Sequence, residues 1–132
     1  MTTTTETPTA ADLARASLAL VKAGRRDDWL DLWADDALIE DPVGPSAMDP
    51  DGAGHRGRDA IARFYDMGIA GIGSFDYSIE QLCMCGHEAA VRVKFDITPA
   101  GGERMEFEAL NIYVKAPNGK LAALRSFHHG SE

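Results

Sequence analysis

The sequence predicts an α+β fold in which three N-terminal helices pack on an antiparallel sheet formed by the rest of the chain. Apolar residues recur at helical spacing in the first half, and from Ser74 onward the period changes to two. Turn signals separate the alternating segments, so consecutive strands should pair as hairpins. A chain of 132 residues can bury one core but not two. We therefore expect a single domain over 9–132, preceded by a disordered Thr-rich segment over 1–8.

The first helix is predicted to begin at Thr9, because Thr9 and Asp12 form a capping-box pattern. Gly24 is a plausible residue to end it. Ser17 lies on or beside the apolar stripe of this helix. Its hydroxyl can either bond its own helix backbone or face a pocket, and the local sequence leaves both open.

A second helix is expected from Asp27 or Asp28 to about Asp35, because two tryptophans and a leucine share one helix face. These residues are Trp29, Leu32 and Trp33, at i, i+3 and i+4. Several Pro and Gly residues then predict a loop over 44–57. A third helix should begin at Arg58 or Asp59.

Four long strands follow from the alternation of apolar and polar residues, over about 74–80, 89–98, 105–114 and 121–128. Asn111 shares its predicted face with Phe107 and Tyr113. If that face is buried, the amide needs a hydrogen-bond partner, unless a bulge turns it outward. His128 shares a face with Leu124 and is either a pocket residue or an exposed strand end.

Adjacent carboxylates precede Pro42. If Leu38–Glu40 is a short strand, Asp41 points to the same side as Ile39, and Glu40 points to the other side. A carboxylate that enters an apolar cavity is a good general base, because poor solvation raises its basicity. The alternative is an exposed turn, which Asp-Pro commonly opens.

The charge and the cysteines exclude several classes of function. A net charge of −8 argues against nucleic acid or an anionic membrane as a partner. No apolar run approaches the ~20 residues of a membrane span, and the N-terminus lacks the pattern of a signal peptide, so a cytoplasmic location is expected. Cys83, Cys85 and His87 lack zinc-site spacing, as do the adjacent His128 and His129. We expect no metal, no cofactor and no disulfide.

Two segments, Trp33–Gly44 and His55–Tyr65, resemble the ketosteroid isomerase family within the wider nuclear transport factor 2-like (NTF2-like) and SnoaL-like group. The first carries Asp-Asp-Ala and Glu-Asp-Pro, and the second carries Gly-Arg-Asp-Ala-Ile and a Phe-Tyr pair. The likeness covers nearly the whole chain after residue 9. It implies a cone-shaped fold with a strongly curved sheet, and a homodimer formed through the sheet's outer face. The apolar residues expected on that face are Leu110, Ile112, Val114 and Leu124.

The resemblance also implies site residues. Asp41 falls on the aspartate that moves a proton between carbons of a 3-oxo steroid. The family's tyrosine falls on Ser17, its protonated aspartate on Asn111, and a tryptophan of some members on His128. We therefore expect Asp41 and Asn111 to be catalytic. The residues expected to bind substrate are Ser17, Trp33, Phe64, Tyr65, Leu124 and His128.

The expected function is an isomerase-like enzyme that moves a proton alpha to a carbonyl of a hydrophobic steroid-like or polyketide-like substrate. Two alternatives remain open: a SnoaL-like cyclase or hydrolase acting on a polyketide or epoxide, and a non-catalytic binder of a small apolar ligand. The fold cannot choose among them, because one scaffold hosts many functions.

Overall fold

This computed structural model describes residues 7–128. They form three α-helices, one π-helical turn and six strands, joined by loops. The helices are α1 (Ala10–Ala23), α2 (Arg26–Leu30) and α3 (Arg58–Phe64), which the π-helical turn Tyr65–Ile69 extends. The strands are β1 (Trp33–Glu40), β2 (His55–Arg56), β3 (Ile72–Cys85), β4 (Glu88–Pro99), β5 (Met105–Lys115) and β6 (Leu121–His128). The α+β class and the NTF2-like fold expected from the sequence are confirmed.

One curved sheet holds all six strands in the order β2-β1-β6-β5-β4-β3. The three hairpin connections from β3 to β6 give antiparallel pairs, whereas β1 runs parallel to β6. The concave face packs on α1, because inward-facing apolar residues alternate along β4 and β5 as the period of two predicts.

The start and end of α1 follow the sequence prediction. The Thr9 hydroxyl accepts from the Asp12 backbone N–H at 3.0 Å, and the Asp12 carboxylate accepts from the Thr9 N–H at 3.0 Å. Gly24 ends the helix in the left-handed region at φ 71°, which glycine adopts without a Cβ penalty. The buried stripe of the helix includes Ser17, which thereby faces the sheet.

The expectation of a helix to about Asp35 is wrong, because α2 ends at Leu30 and Trp33 begins β1. The helical spacing is present in the sequence, but a pairing with β6 decides the conformation of this segment. A register shift between Trp33 and Leu38 buries Trp33 and Ala34 in succession, which hides the alternation typical of a strand. The predicted loop over 44–57 likewise ends in β2, which pairs with β1.

Aromatic side chains join the helices at the core. Trp29 contacts Trp33 edge-on, with ring centroids 5.4 Å apart, and contacts Tyr65 at 5.2 Å. Trp33 is 1% exposed, and among the described residues its indole N–H has no hydrogen-bond partner. This packing holds Trp29 at the edge of the cavity described below.

The outer face of the sheet differs from the sequence expectation at one position. Leu124 is buried on the concave side, because it alternates with the exposed Arg125 and Phe127. The large apolar residues exposed on the outer face of β5 and β6 are Leu110 and Phe127, at 45% and 41% exposure.

Several other expectations concern the termini and the surface. Residues 1–6 of the segment expected to be disordered lie outside the described residues, and Thr7 and Pro8 belong to no helix or strand. Within residues 7–128, no helix is both long and apolar enough to cross a membrane. Cys83 and Cys85 are free and exposed.

Candidate functional site

A cavity of about 300 Å³ lies between the helices and the concave face of the sheet. This volume is at the lower end of the range for small-molecule sites, roughly 300–1,000 Å³. Its wall is largely apolar. The apolar lining residues are Leu18, Val21, Trp29, Pro42, Met48, Phe64, Ile69, Ile72, Phe75, Phe95, Ile97, Phe107 and Leu124.

An arc of aromatic rings crosses this wall from β3 to β6. The ring centroids of Phe75 and Phe95 are 5.7 Å apart, and those of Phe95 and Phe107 are 5.3 Å apart. The arc ends at the His128 imidazole, 5.2 Å from Phe107. Because Phe95 and Phe107 are direct cross-strand partners, their inward faces coincide. The arc offers a flat apolar ligand a continuous surface.

Asp41 and His128 form the rim of the cavity. The backbone N–H of Val43 donates to the Ser126 carbonyl at 2.9 Å, which holds the chain after β1 along β6. Asp41 Oδ1 then lies 2.8 Å from His128 Nε2. Both side chains are partly exposed, at 29% and 22% respectively. One carboxylate oxygen therefore contacts the imidazole, and the carboxylate lies at the mouth of the cavity.

Glu40 points away from the cavity. Its Oε1 accepts from Arg125 Nε at 2.9 Å, across the parallel pair of β1 and β6. The two adjacent carboxylates therefore lie on opposite sides of the strand, as the parity of Ile39 predicts. Asp41 is the one that lines the cavity.

The floor of the cavity is a buried chain of neutral hydrogen bonds. The Ser126 hydroxyl donates to Asn111 Oδ1 at 2.6 Å, and Asn111 Nδ2 donates to the Tyr113 hydroxyl at 3.1 Å. Ser17 accepts from the Trp29 indole N–H at 3.0 Å. The residues of this floor are all buried, at 4% exposure or less, and all of them line the cavity: Ser17, Asn111, Tyr113 and Ser126.

Burial also sets the protonation state of the phenol at the floor. It raises the pKa of Tyr113, and the negative charge of Asp41 adds to the rise. The hydrogen bonds with Asn111 and Ser17 oppose this effect and do not overcome it. Tyr113 is therefore a neutral hydroxyl at any ordinary pH.

Met48 closes one side of the cavity from the loop before β2. A Cβ built on Gly68 would lie 2.8 Å from the Met48 terminal methyl, so this methyl occupies the space that a side chain at residue 68 would take. Both residues line the cavity. This part of the wall is a flexible thioether packed against bare backbone.

Six of the eight residues predicted for the site line the cavity: Ser17, Asp41, Phe64, Asn111, Leu124 and His128. Trp33 and Tyr65 do not. Trp33 is enclosed in the core, and Trp29, four residues earlier in α2, contributes to the wall in its place. Tyr65 lies on the far side of Trp29, with the Arg26 guanidinium 6.0 Å from its ring.

Sequence reasoning did not assign Tyr113 or Ser126 to the site. One signal was present for each of them. Tyr113 is at i+2 from Asn111 and so shares its face, and Ser126 is at i−2 from His128. The cross-strand pairing of Asn111 with Ser126, which connects the two strands at the floor, could not be deduced from spacing alone.

The arrangement separates two chemical capabilities. The carboxylate at the rim can accept or return a proton, whereas the hydroxyl and amide groups at the floor can donate to a ligand oxygen. Among residues 7–128, no group of three or more His, Cys, Asp or Glu side chains is arranged to hold a metal ion.

Comparisons with known proteins identify several solved structures with the same fold. RV0760c from Mycobacterium tuberculosis is 31% identical, with a TM-score of 0.84 over 95% of this chain and 93% of that chain. The same protein was solved in complex with estradiol-17beta-hemisuccinate, and that structure covers 89% of this chain and 92% of its own at 30% identity, with a TM-score of 0.82.

Two further solved structures are similar. The Delta 5-3-ketosteroid isomerase from Mycobacterium sp. is 29% identical, with a TM-score of 0.83 over 89% of this chain and 91% of that chain. A computationally designed 17-OHP binder is 28% identical, with a TM-score of 0.84 and the same coverage of 89% and 91%. No curated protein sequence gives a significant match. The model of the SnoaL-like domain matches residues 14–124, and the chain therefore belongs to the SnoaL-like domain family, within the NTF2-like fold.

Proposed function

We propose that this protein is an enzyme that moves a proton at a carbon next to a carbonyl in a hydrophobic, steroid-like ligand. Asp41 is the base, and Asn111 belongs to the donor group that faces the carbonyl oxygen. The observation that carries the proposal is the position of the Asp41 carboxylate on the rim of an apolar cavity with buried donors at its floor.

The chemistry follows from this polarity. A carboxylate takes a proton from the carbon, and the electron pair of the C–H bond forms a C=C bond as the carbonyl π electrons move to oxygen. The product is an enolate with its negative charge largely on that oxygen. A donor fixed near that oxygen stabilises the charge, because it needs no reorganisation as the charge develops. The same carboxylic acid then returns the proton to another carbon, so the reaction needs no oxidant or cofactor.

The similar proteins support a steroid-like ligand. One is named as a Delta 5-3-ketosteroid isomerase, and another was solved with an estradiol derivative. The aromatic arc of Phe75, Phe95 and Phe107 suits the flat face of fused rings.

The test compares two neighbouring carboxylates in turnover of a 3-oxo-Δ5 steroid, followed by the absorbance of the conjugated enone. Asp41→Asn should lower kcat by about 10²–10⁴-fold, the usual contribution of a general base. Glu40→Gln is the matched control and should stay within about threefold, because Glu40 pairs with Arg125 outside the cavity. Equal losses in both variants would contradict the assignment.

A non-catalytic binder is the second candidate, favoured by one observation. The position expected to carry the family's tyrosine is Ser17, and a designed steroid binder shares the fold at 28% identity. A binder predicts steroid affinity without turnover, and an affinity that Asp41→Asn changes only slightly.

A homodimer through the outer face of the sheet is proposed as well. Leu110 and Phe127 are its apolar contacts, and Leu124 is not, since it faces the cavity. Sedimentation equilibrium at micromolar concentration should give twice the chain mass of 14.2 kDa. A species of single-chain mass would refute this proposal.

A further inference from the structure

We infer that Tyr113 is the hydrogen-bond donor to the ligand's carbonyl oxygen, so that this chain carries its catalytic phenol on β5. The inference rests on the proposed proton-transfer function and adds a residue to it. Tyr113 lines the cavity floor and is 1% exposed.

The direction of the floor's hydrogen bonds leaves the phenol proton available. Asn111 Oδ1 accepts from the Ser126 hydroxyl, so the amide NH₂ faces Tyr113. The phenol oxygen therefore accepts from Asn111, and its own O–H, which lies beside Ser17, is the donor that a ligand carbonyl would engage. A hydroxyl that accepts one hydrogen bond becomes a stronger donor in the next, because the bonds of a chain polarise one another.

Ser17 is less suited to this role, because a serine hydroxyl is far less acidic than a phenol and is therefore a weaker donor to an enolate oxygen. The Trp29 indole N–H has no accepting atom, so the 3.0 Å contact makes the Ser17 oxygen an acceptor. The serine side chain is also several bonds shorter than a phenol. The Tyr113 hydroxyl on β5 lies within hydrogen-bonding reach of Ser17 on α1, and both residues line the cavity.

The assigned roles give a balanced reaction. Asp41 takes a proton from the carbon next to the carbonyl, and the C–H electron pair forms the C=C bond of the enolate. The carbonyl π electrons move to oxygen, where the Tyr113 O–H and the second N–H of Asn111 donate to the negative charge. Asp41 then returns its proton to a different carbon and the carbonyl reforms. Tyr113 keeps its own proton throughout, in line with burial favouring its neutral form.

The test is Tyr113→Phe, which removes the hydroxyl and keeps the ring. With a 3-oxo-Δ5 steroid, kcat should fall by about 10²–10³-fold, the usual effect of removing one oxyanion donor. The KM should change by less than about tenfold, because the bond matters most when charge sits on the oxygen. Tyr77→Phe is the matched control, since Tyr77 does not line the cavity and should leave both parameters unchanged.

The outcomes separate this inference from the proposed function. If Asp41→Asn abolishes turnover and Tyr113→Phe does not, proton transfer stands and the role of Tyr113 is overturned. If the wild type shows no turnover at all, the proposed function fails. The affinity for a steroid ketone then decides the inference: a several-fold loss in Tyr113→Phe supports a donor to the carbonyl, and an unchanged affinity overturns it.

A second measurement covers the case in which Tyr113→Phe does not fold. Incorporation of 3-fluorotyrosine keeps the rings of all three tyrosines. Loss of a fluorine NMR signal in Tyr65→Phe and in Tyr77→Phe assigns the remaining signal to Tyr113. A shift of that signal on addition of a steroid ketone, larger than on addition of the same steroid without the carbonyl, supports the inference. Equal shifts would overturn it.

Discussion

The floor and the rim of the cavity hold their polar groups in opposite ways. At the floor, Asn111 joins the hydroxyls of Tyr113 and Ser126 in neutral bonds between buried side chains. At the rim, Asp41 and His128 form a pair that is partly exposed to solvent. Buried groups are costly to leave unpaired, whereas exposed ion pairs contribute little to stability. We therefore expect substitutions at the floor to change mainly the free energy of unfolding, and substitutions at the rim to change mainly the rate of proton transfer.

The largest expected effect is on the floor, from Asn111→Leu. The substitution removes the acceptor of the buried Ser126 hydroxyl and the donor to the buried Tyr113 hydroxyl. A buried polar group that loses its partner costs about 1–3 kcal/mol. Urea denaturation should show a loss of at least about 2 kcal/mol in the free energy of unfolding. Glu108→Gln on the outer face of β5 is the control and should change it by less than about 1 kcal/mol. A decrease in the free energy of unfolding smaller than that of the control would show that these buried hydrogen bonds do not stabilise the fold.

The variant Ser17→Tyr tests whether the floor has room for a second aromatic ring. Ser17→Tyr places a large side chain against Tyr113 and removes the acceptor of the Trp29 N–H. Overpacking of this kind costs about 1–3 kcal/mol in the free energy of unfolding, measured by urea denaturation. Combining it with Tyr113→Ala should recover part of this loss. If Ser17→Tyr alone is as stable as the wild type and turns over faster, the cavity has room for a phenol at residue 17, and the expected overpacking is contradicted.

The rim is tested by His128→Ala, for which a smaller stability effect is expected. The pair with Asp41 is partly exposed, so the free energy of unfolding should change by less than about 1 kcal/mol. Turnover should still fall by roughly tenfold, because a hydrogen bond to the carboxylate fixes its position, and one such bond is worth about 1.5–3 kcal/mol. Thermal melting and steady-state kinetics on the same preparation measure the two effects. A large loss of stability with unchanged kcat would reverse the division between floor and rim.

The smallest expected effect concerns alkaline pH. Burial raises the pKa of Tyr113 above its ordinary value near 10, so the unfolded chain releases the phenol proton at lower pH than the folded chain. Above about pH 10 the unfolded state then binds fewer protons, and stability falls as the pH rises. Tyr113→Phe lacks this contribution and should have a flatter stability curve in that range. Urea denaturation at several alkaline pH values measures the difference, and parallel curves would contradict it.

The parity of the strands allowed much of the site to be predicted. Asp41 and Asn111 line the cavity because alternate residues of a strand face one side, a local rule that sequence carries. Leu124 was expected on both faces of the sheet, and it lies on the cavity side. Trp33 was misplaced for the opposite reason: its strand exists through pairing with β6, which lies far along the chain. Tyr113 was overlooked because its hydrogen bond with Asn111 depends on a cross-strand contact, between Asn111 and Ser126, that orients the amide.

The contact between Met48 and Gly68 bears on how this family could change its ligands. A thioether has three freely rotating bonds, so it can move aside for a thicker ring system without disturbing the sheet. Replacing Gly68 would force Met48 out of its place, since a Cβ there meets the methyl at 2.8 Å. We therefore expect exchanges at Met48 or Gly68 to change the space open to a ligand while leaving the hydrogen bonds of Asp41 and the floor in place.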